Sequence, residues 1–134
     1  MQTFIAFVSA LVIGPILDFV WFSLVASDIY KKQLGPLLRM ENGMLKPELF
    51  PAVLVYILIA LLVTFFVLPK GGSVLSLFLW GALAGLILYG VYDLTNISFL
   101  KDWTLSITLI DAAWGTFMVG VLTVIVSYIL KIWA

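Results

Sequence analysis

Three aspartates lie within long apolar stretches of the sequence: Asp18, Asp93 and Asp111. A carboxylate placed alone in membrane hydrocarbon costs about 2.5–3.5 kcal/mol on insertion scales. Three such residues in a chain of 134 therefore require a common explanation. Carboxylates inside a membrane are typical of ion pathways and proton relays, and we expect these three to form one shared, buried site.

The composition is that of a membrane protein. Hydrophobic residues make up 64% of the chain and charged residues 10%, with a mean hydropathy of +1.23. A formal net charge of zero gives no reason to expect a nucleic-acid partner. Cysteine and histidine are both absent, which excludes disulfides, thiolate ligands and nucleophile–histidine pairs. No cofactor is expected, and proton chemistry would depend on carboxylates, lysines, tyrosines or water.

Four apolar runs are each near the roughly 20 residues that a helix needs to cross a bilayer. The predicted spans are about 3–25, 49–68, 74–97 and 105–130. Prolines open the second run, and Pro69-Lys70-Gly71-Gly72-Ser73 predicts a tight turn before the third. The sequence therefore predicts a single integral membrane domain over residues 1–134, an all-α, four-transmembrane-helix bundle made of two hairpins.

The longest connection, residues 26–48, carries large apolar residues at helical spacing together with basic ones. Gly35-Pro36 interrupts this pattern, and Asn42-Gly43 is typical of a turn. We expect a short, broken amphipathic segment at the membrane interface, with a solvated linker as the alternative.

The distribution of basic residues predicts the orientation. Five of the seven Lys and Arg lie in the links after the first and third spans, which should face the cytoplasm. Both termini would then lie outside. Because Asp18, Asp93 and Asp111 all lie near span ends on that inner face, at depths of about 6–10 Å, they should occupy one layer.

Aromatic and polar residues accompany the aspartates. The third span places Tyr89, Tyr92 and Asn96 on the stripe that begins with Gly81 and Gly85, whose small size favours close helix packing. The second span, with only Tyr56 and Thr64, is expected to face lipid.

The pattern Asp-x-x-Trp occurs twice and places Trp21 beside Asp18 and Trp114 beside Asp111. Since the two spans run in opposite directions, we expect the indoles on opposite sides of the carboxylate layer. The predicted substrate- or ion-binding residues are Asp18, Asp93, Asp111, Trp21, Tyr89, Tyr92, Asn96 and Trp114.

These motifs resemble a family of small bacterial integral membrane proteins known only as a domain of unknown function. The similarity is carried by Asp18-Phe-Val-Trp21 continuing to Leu34-Gly35, by Tyr92-Asp93-Leu94-Thr95-Asn96 with Leu100-Lys101-x-Trp103, and by Asp111-x-x-Trp114-Gly115. Family members often have proline after the second-link tryptophan, where this chain has Thr104. The resemblance implies four spans and the bacterial inner membrane, and it brings no activity.

Three functions fit these residues. The first is a proton- or cation-coupled carrier, or a binder of an amphipathic small molecule or cation, forming a homo-oligomer because four spans make a thin wall. The second is a membrane-embedded enzyme acting on a lipid or isoprenoid, with the aspartates as acid and base or as ligands of a divalent metal. The third is a structural or scaffold protein whose aspartates only accept hydrogen bonds. Membrane lipid is a partner in all three.

Overall fold

The computed structural model describes residues 1–133 as an all-α bundle with four helices long and apolar enough to cross a membrane. Each helix begins within one residue of its predicted span, and the predicted four-helix architecture is confirmed. The spanning helices are α1 (Gln2–Val20, continued by a π-helical turn at Trp21–Val25), α3 (Leu49–Leu62, continued by a π-helical turn at Val63–Val67 and a 3₁₀ turn at Leu68–Lys70), α4 (Val74–Phe99) and α5 (Leu105–Trp133).

Local signals fix where the last two helices begin. The Ser73 hydroxyl accepts a hydrogen bond from the Ser76 amide at 3.1 Å, which caps α4. The Thr104 hydroxyl accepts from the Ile107 amide at 3.0 Å and caps α5 in the same way. Thr104 therefore provides the start signal of α5.

Helices α4 and α5 pack closely along much of their length, while α1 lies against both α3 and α5. The close approach depends on glycine. A methyl group at Gly85 would overlap the backbone carbonyl of Gly115, and one at Gly115 would overlap the ring of Tyr89. The predicted small-residue packing of the third span is thus present, with α5 as its partner.

The connection between α1 and α3 contains α2 (Ser27–Leu34), a 3₁₀ turn (Gly35–Leu37), and a hairpin of β1 (Met40–Glu41) and β2 (Met44–Leu45). The hairpin turn uses Asn42 and Gly43 at φ of 54° and 76°, the left-handed conformation that these two residues tolerate best. The predicted short helix, its break and the turn are all present. Their position at a membrane interface stays a prediction.

The side chains of the bundle divide into a small core and a large apolar exterior. The core centres on α5, whose Met118, Val119 and Leu122 are fully buried against α1 and α3. Much of the exterior of the four helices consists of exposed Leu, Val, Ile and Phe side chains. Such a surface is suited to hydrocarbon, so the helices contact membrane lipid.

Candidate functional site: a buried cluster of carboxyl groups

Asp18 is the most completely hydrogen-bonded of the three intramembrane aspartates. Its side chain is 5% exposed. The Trp114 indole donates to Oδ1 at 2.8 Å, and the Tyr56 hydroxyl donates to Oδ2 at 2.7 Å. Because the donors come from α5 and α3, this one carboxyl joins three helices.

Asp111 receives its hydrogen bond from outside the spanning helices. The Tyr30 hydroxyl, on α2, donates to Oδ1 at 2.6 Å, and the Trp21 indole points at the Tyr30 oxygen from 3.5 Å. Burial, and secondly the nearby Asp111 carboxyl, raise the pKa of Tyr30 above its ordinary value. Tyr30 therefore remains a protonated donor at neutral pH.

Asp93 has the least favourable surroundings. Its side chain is completely buried, and within residues 1–133 neither carboxyl oxygen has a hydrogen-bond partner. The polar group beside it is the Asp111 carboxyl, close enough to share a hydrogen bond if one of the two is protonated. The structure thus pairs two acidic groups with no base between them.

The two tryptophans meet in the cluster. The Trp21 and Trp114 rings stack in parallel, with centroids 4.7 Å apart and 3° between their planes. The expectation that they lie on opposite sides of the carboxylates is therefore wrong. Helical side chains lean toward the N-terminus of their own helix, so on antiparallel helices these two lean toward each other.

The other predicted binding residues lie at different distances from the carboxyls. The Tyr89 ring packs on Gly115 of α5. Tyr92 is 55% exposed and stands edge-on to Trp103, with ring centroids 5.9 Å apart. Asn96 is half-buried further along α4. Neither Tyr92 nor Asn96 takes part in the hydrogen bonds to the carboxyls, and a binding role for any of the eight residues stays a prediction.

Two residues of the cluster were not among the predicted site residues. The second span was expected to face lipid, yet its Tyr56 turns inward to Asp18. The sequence does indicate this inward position of Tyr56, because it is the only hydrogen-bonding side chain in Leu49–Leu62. A tyrosine hydroxyl in an apolar environment usually has a hydrogen-bond partner. Tyr30 lies in the predicted amphipathic segment of residues 26–48, where helical spacing of apolar residues indicates no bond to Asp111.

Metal binding was one alternative for the aspartates. Among residues 1–133, no three His, Cys, Asp or Glu side chains are arranged to hold a metal ion.

The four apolar helices and the buried acidic cluster define a small integral membrane protein with ionisable groups in its interior. The chain belongs to the family described as predicted membrane protein (DUF2177), whose pattern matches residues 3–128. This confirms the resemblance seen in the sequence motifs. No curated protein and no solved structure matches the chain.

Proposed function

We propose that this chain is a proton-coupled membrane carrier in which Asp93 and Asp111 hold the coupling proton. The observation that carries the proposal is the Asp93 carboxyl, fully buried beside a second carboxyl and without a hydrogen-bond donor. Two adjacent carboxylates in such a place would each lose hydration without compensation, which is costly. One proton held between them removes a charge and supplies the missing donor.

The proposed cargo is a small amphipathic molecule or cation. The cluster contains aromatic rings: Trp114 donates to Asp18, Trp21 stacks on Trp114 and donates to Tyr30, and Tyr92 of α4 pairs with Trp103. Ring faces of this kind attract cations. Two surface clefts of the bundle are lined by other residues, one at the hairpin and one beside Met1 and Phe65. Because Asp93 and Asp111 are only 0% and 5% exposed, entry of a cargo to these carboxyls would require the helices to separate, as expected of a carrier that alternates between states.

The proposed location is the bacterial inner membrane, with both termini outside and with a second copy completing the wall of the pathway. The distribution of basic residues supports the orientation.

Proton flux in liposomes tests the proposal. The purified protein would be reconstituted around a trapped pH indicator, and an imposed pH gradient would be followed with and without a panel of amphipathic amines. We expect Asp93→Asn to reduce the amine-dependent proton flux to the level of protein-free liposomes. The matched control is Asp102→Asn, the same chemical change at an exposed position in the α4–α5 link, and it should retain the wild-type rate. A full rate in Asp93→Asn would contradict the proposal, as would a wild-type rate equal to that of protein-free liposomes.

A scaffold is the second candidate, and the surroundings of Asp18 favour it. Both oxygens of that carboxyl are occupied by donors from other helices, which is how a structural tie is built. If the whole cluster served this purpose, replacements of all three aspartates would change only stability. The same liposome experiment, combined with thermal melting of the three Asp→Asn variants, separates the two functions.

A further inference from the structure

We propose that α2 is a gate over the Asp93–Asp111 pair and that the Tyr30 side chain holds it closed. The inference rests on the proposed function and deepens it, because it assigns the route by which protons reach the pair.

Tyr30 closes the cluster on the side of the membrane that carries α2. Its hydroxyl reaches from this short, non-spanning helix to Asp111, and its ring packs edge-on against Phe22 with centroids 4.9 Å apart. Tyr30 and Asp111 are each 5% exposed and Asp93 is 0% exposed. A proton arriving from the α2 side must therefore pass the position that Tyr30 occupies.

The attachment of α2 to the bundle is light. Beyond Tyr30, its polar contacts come from Gln33, which accepts a bond from the Thr104 hydroxyl at 2.6 Å and donates one to Ser106 at 3.2 Å. Its apolar contacts come from Tyr30 and Leu34, which form a buried cluster with Ala26 and Ile107. A helix of two turns held by so few contacts is expected to open locally far more easily than the spanning helices unfold.

Both ends of α2 are suited to movement. Before it, Trp21–Val25 forms a π-helical turn closed by the bond from the Ala26 amide to the Trp21 carbonyl at 2.8 Å. Single π turns inside helices recur at functional sites. After α2, Gly35-Pro36 ends the regular helix. Because Trp21 also contacts Tyr30 and stacks on Trp114, a change in this turn would reach the carboxyls directly.

The absence of cysteine from the sequence makes the gate testable. Gln33→Cys with Ser106→Cys would introduce the only two thiols, at side chains that contact each other across the α2–α5 boundary. A short bifunctional thiol reagent would join them and hold α2 in place. The readout is labelling of Asp111 and Asp93 by a water-soluble carbodiimide, quantified by mass spectrometry, together with proton flux in liposomes.

We expect cross-linking to lower both the carbodiimide labelling and the flux by about tenfold, with release of a cleavable reagent restoring them. Each single-cysteine variant should give the same labelling and flux with and without the reagent. Tyr30→Phe keeps the ring and loses the hydroxyl, so we expect labelling of Asp111 to rise by about tenfold. A merely structural role for Tyr30 would lower the melting temperature and leave the labelling unchanged.

Unchanged labelling in the cross-linked protein overturns the gate, and so does unchanged labelling in a folded Tyr30→Phe variant. The labelling does not depend on transport. If wild-type protein shows no flux while labelling still responds to the cross-link, the gate stands and the carrier proposal falls. If flux and labelling both persist after cross-linking, the gate falls and the carrier proposal stands.

Discussion

Asp18 and Asp93 are equally acidic residues that are buried to a similar degree in the same bundle, yet their surroundings are opposite. Asp18 accepts one short hydrogen bond on each carboxyl oxygen, from Trp114 and Tyr56. Asp93 accepts none from residues 1–133, and a second carboxyl lies beside it. Burial is therefore a poor guide to the role of an intramembrane aspartate. The donors around it decide whether the charged form is stabilised.

The helix neighbours explain the difference. Asp18 lies on α1, which is flanked by α3 and α5, and each of these helices contributes a long aromatic side chain with a donor at its tip. Asp93 lies on α4, which packs mainly on α5 through glycine contacts that leave little room for side chains. One carboxyl is tied to two other helices by hydrogen bonds, and the other lies beside a second carboxyl, which is the arrangement on which the carrier proposal rests.

The largest expected effect concerns the close contact between α4, which carries Asp93, and α5. Gly85→Ala would place a methyl group against the Gly115 carbonyl, where only backbone could move. We expect a loss of about 3 kcal/mol in the free energy of unfolding, measured by steric trapping in bicelles. Gly90→Ala is the matched control, because a methyl group there meets no neighbour within 4 Å. Equal stability of the two variants would show that the α4–α5 contact tolerates a methyl group at Gly85.

Tyr56→Phe tests how much one hydrogen-bond donor to Asp18 contributes to stability. The change removes one of the two bonds to Asp18 and keeps the ring. Hydrogen bonds inside membranes contribute about 0.6 kcal/mol on average and up to about 1.7 kcal/mol. Because this acceptor is a buried carboxyl, we expect a loss of about 1.5 kcal/mol at the upper end of that range. The melting temperature in detergent would show it, and Tyr128→Phe, at a tyrosine 49% exposed near the end of α5, is the control.

Asp93→Asn should have a smaller effect on stability than Asp18→Asn. At Asp93 no donor is lost, and the new amide can donate to Asp111, so we expect a change within about 0.5 kcal/mol or a gain in stability. At Asp18 the amide NH₂ must face one of two existing donors, which we expect to cost about 1–2 kcal/mol. Thermal melting of the two variants measures the two stability losses. A larger loss in Asp93→Asn than in Asp18→Asn would contradict the difference between the two carboxyl environments.

The smallest expected effect is the difference in stability between Trp114→Phe and Trp103→Phe. The Trp103 indole nitrogen is buried without an acceptor among residues 1–133, whereas that of Trp114 donates to Asp18. Both Trp→Phe replacements remove a similar ring area, but only Trp114→Phe also removes a hydrogen bond. We expect Trp114→Phe to be the more destabilising by about 1 kcal/mol. Equal losses would mean that the Trp114 bond adds nothing beyond packing.

Several features of the fold follow from local pattern. The apolar run lengths predict the four helices, and the Gly-Pro and Asn-Gly pairs predict the break and turn after α2. The burial of Asp18, Asp93 and Asp111 follows from the high cost of exposing a carboxylate to lipid. These predictions succeed because each depends on residues close together in the chain, or on one general property of the bilayer.

The identity of each hydrogen-bond partner depends on helix order and side-chain direction. Tyr56 reaches Asp18 because α3 packs on α1, and Tyr30 reaches Asp111 because α2 folds back over α5. The Trp21–Trp114 stack depends on two side chains leaning toward each other from antiparallel helices. The sequence pattern therefore determines that the chain forms four membrane-spanning helices and that three of their acidic residues are buried. Only tertiary packing decides that Asp18 has two donors and Asp93 has none, because hydrogen bonds require distances that no periodicity specifies.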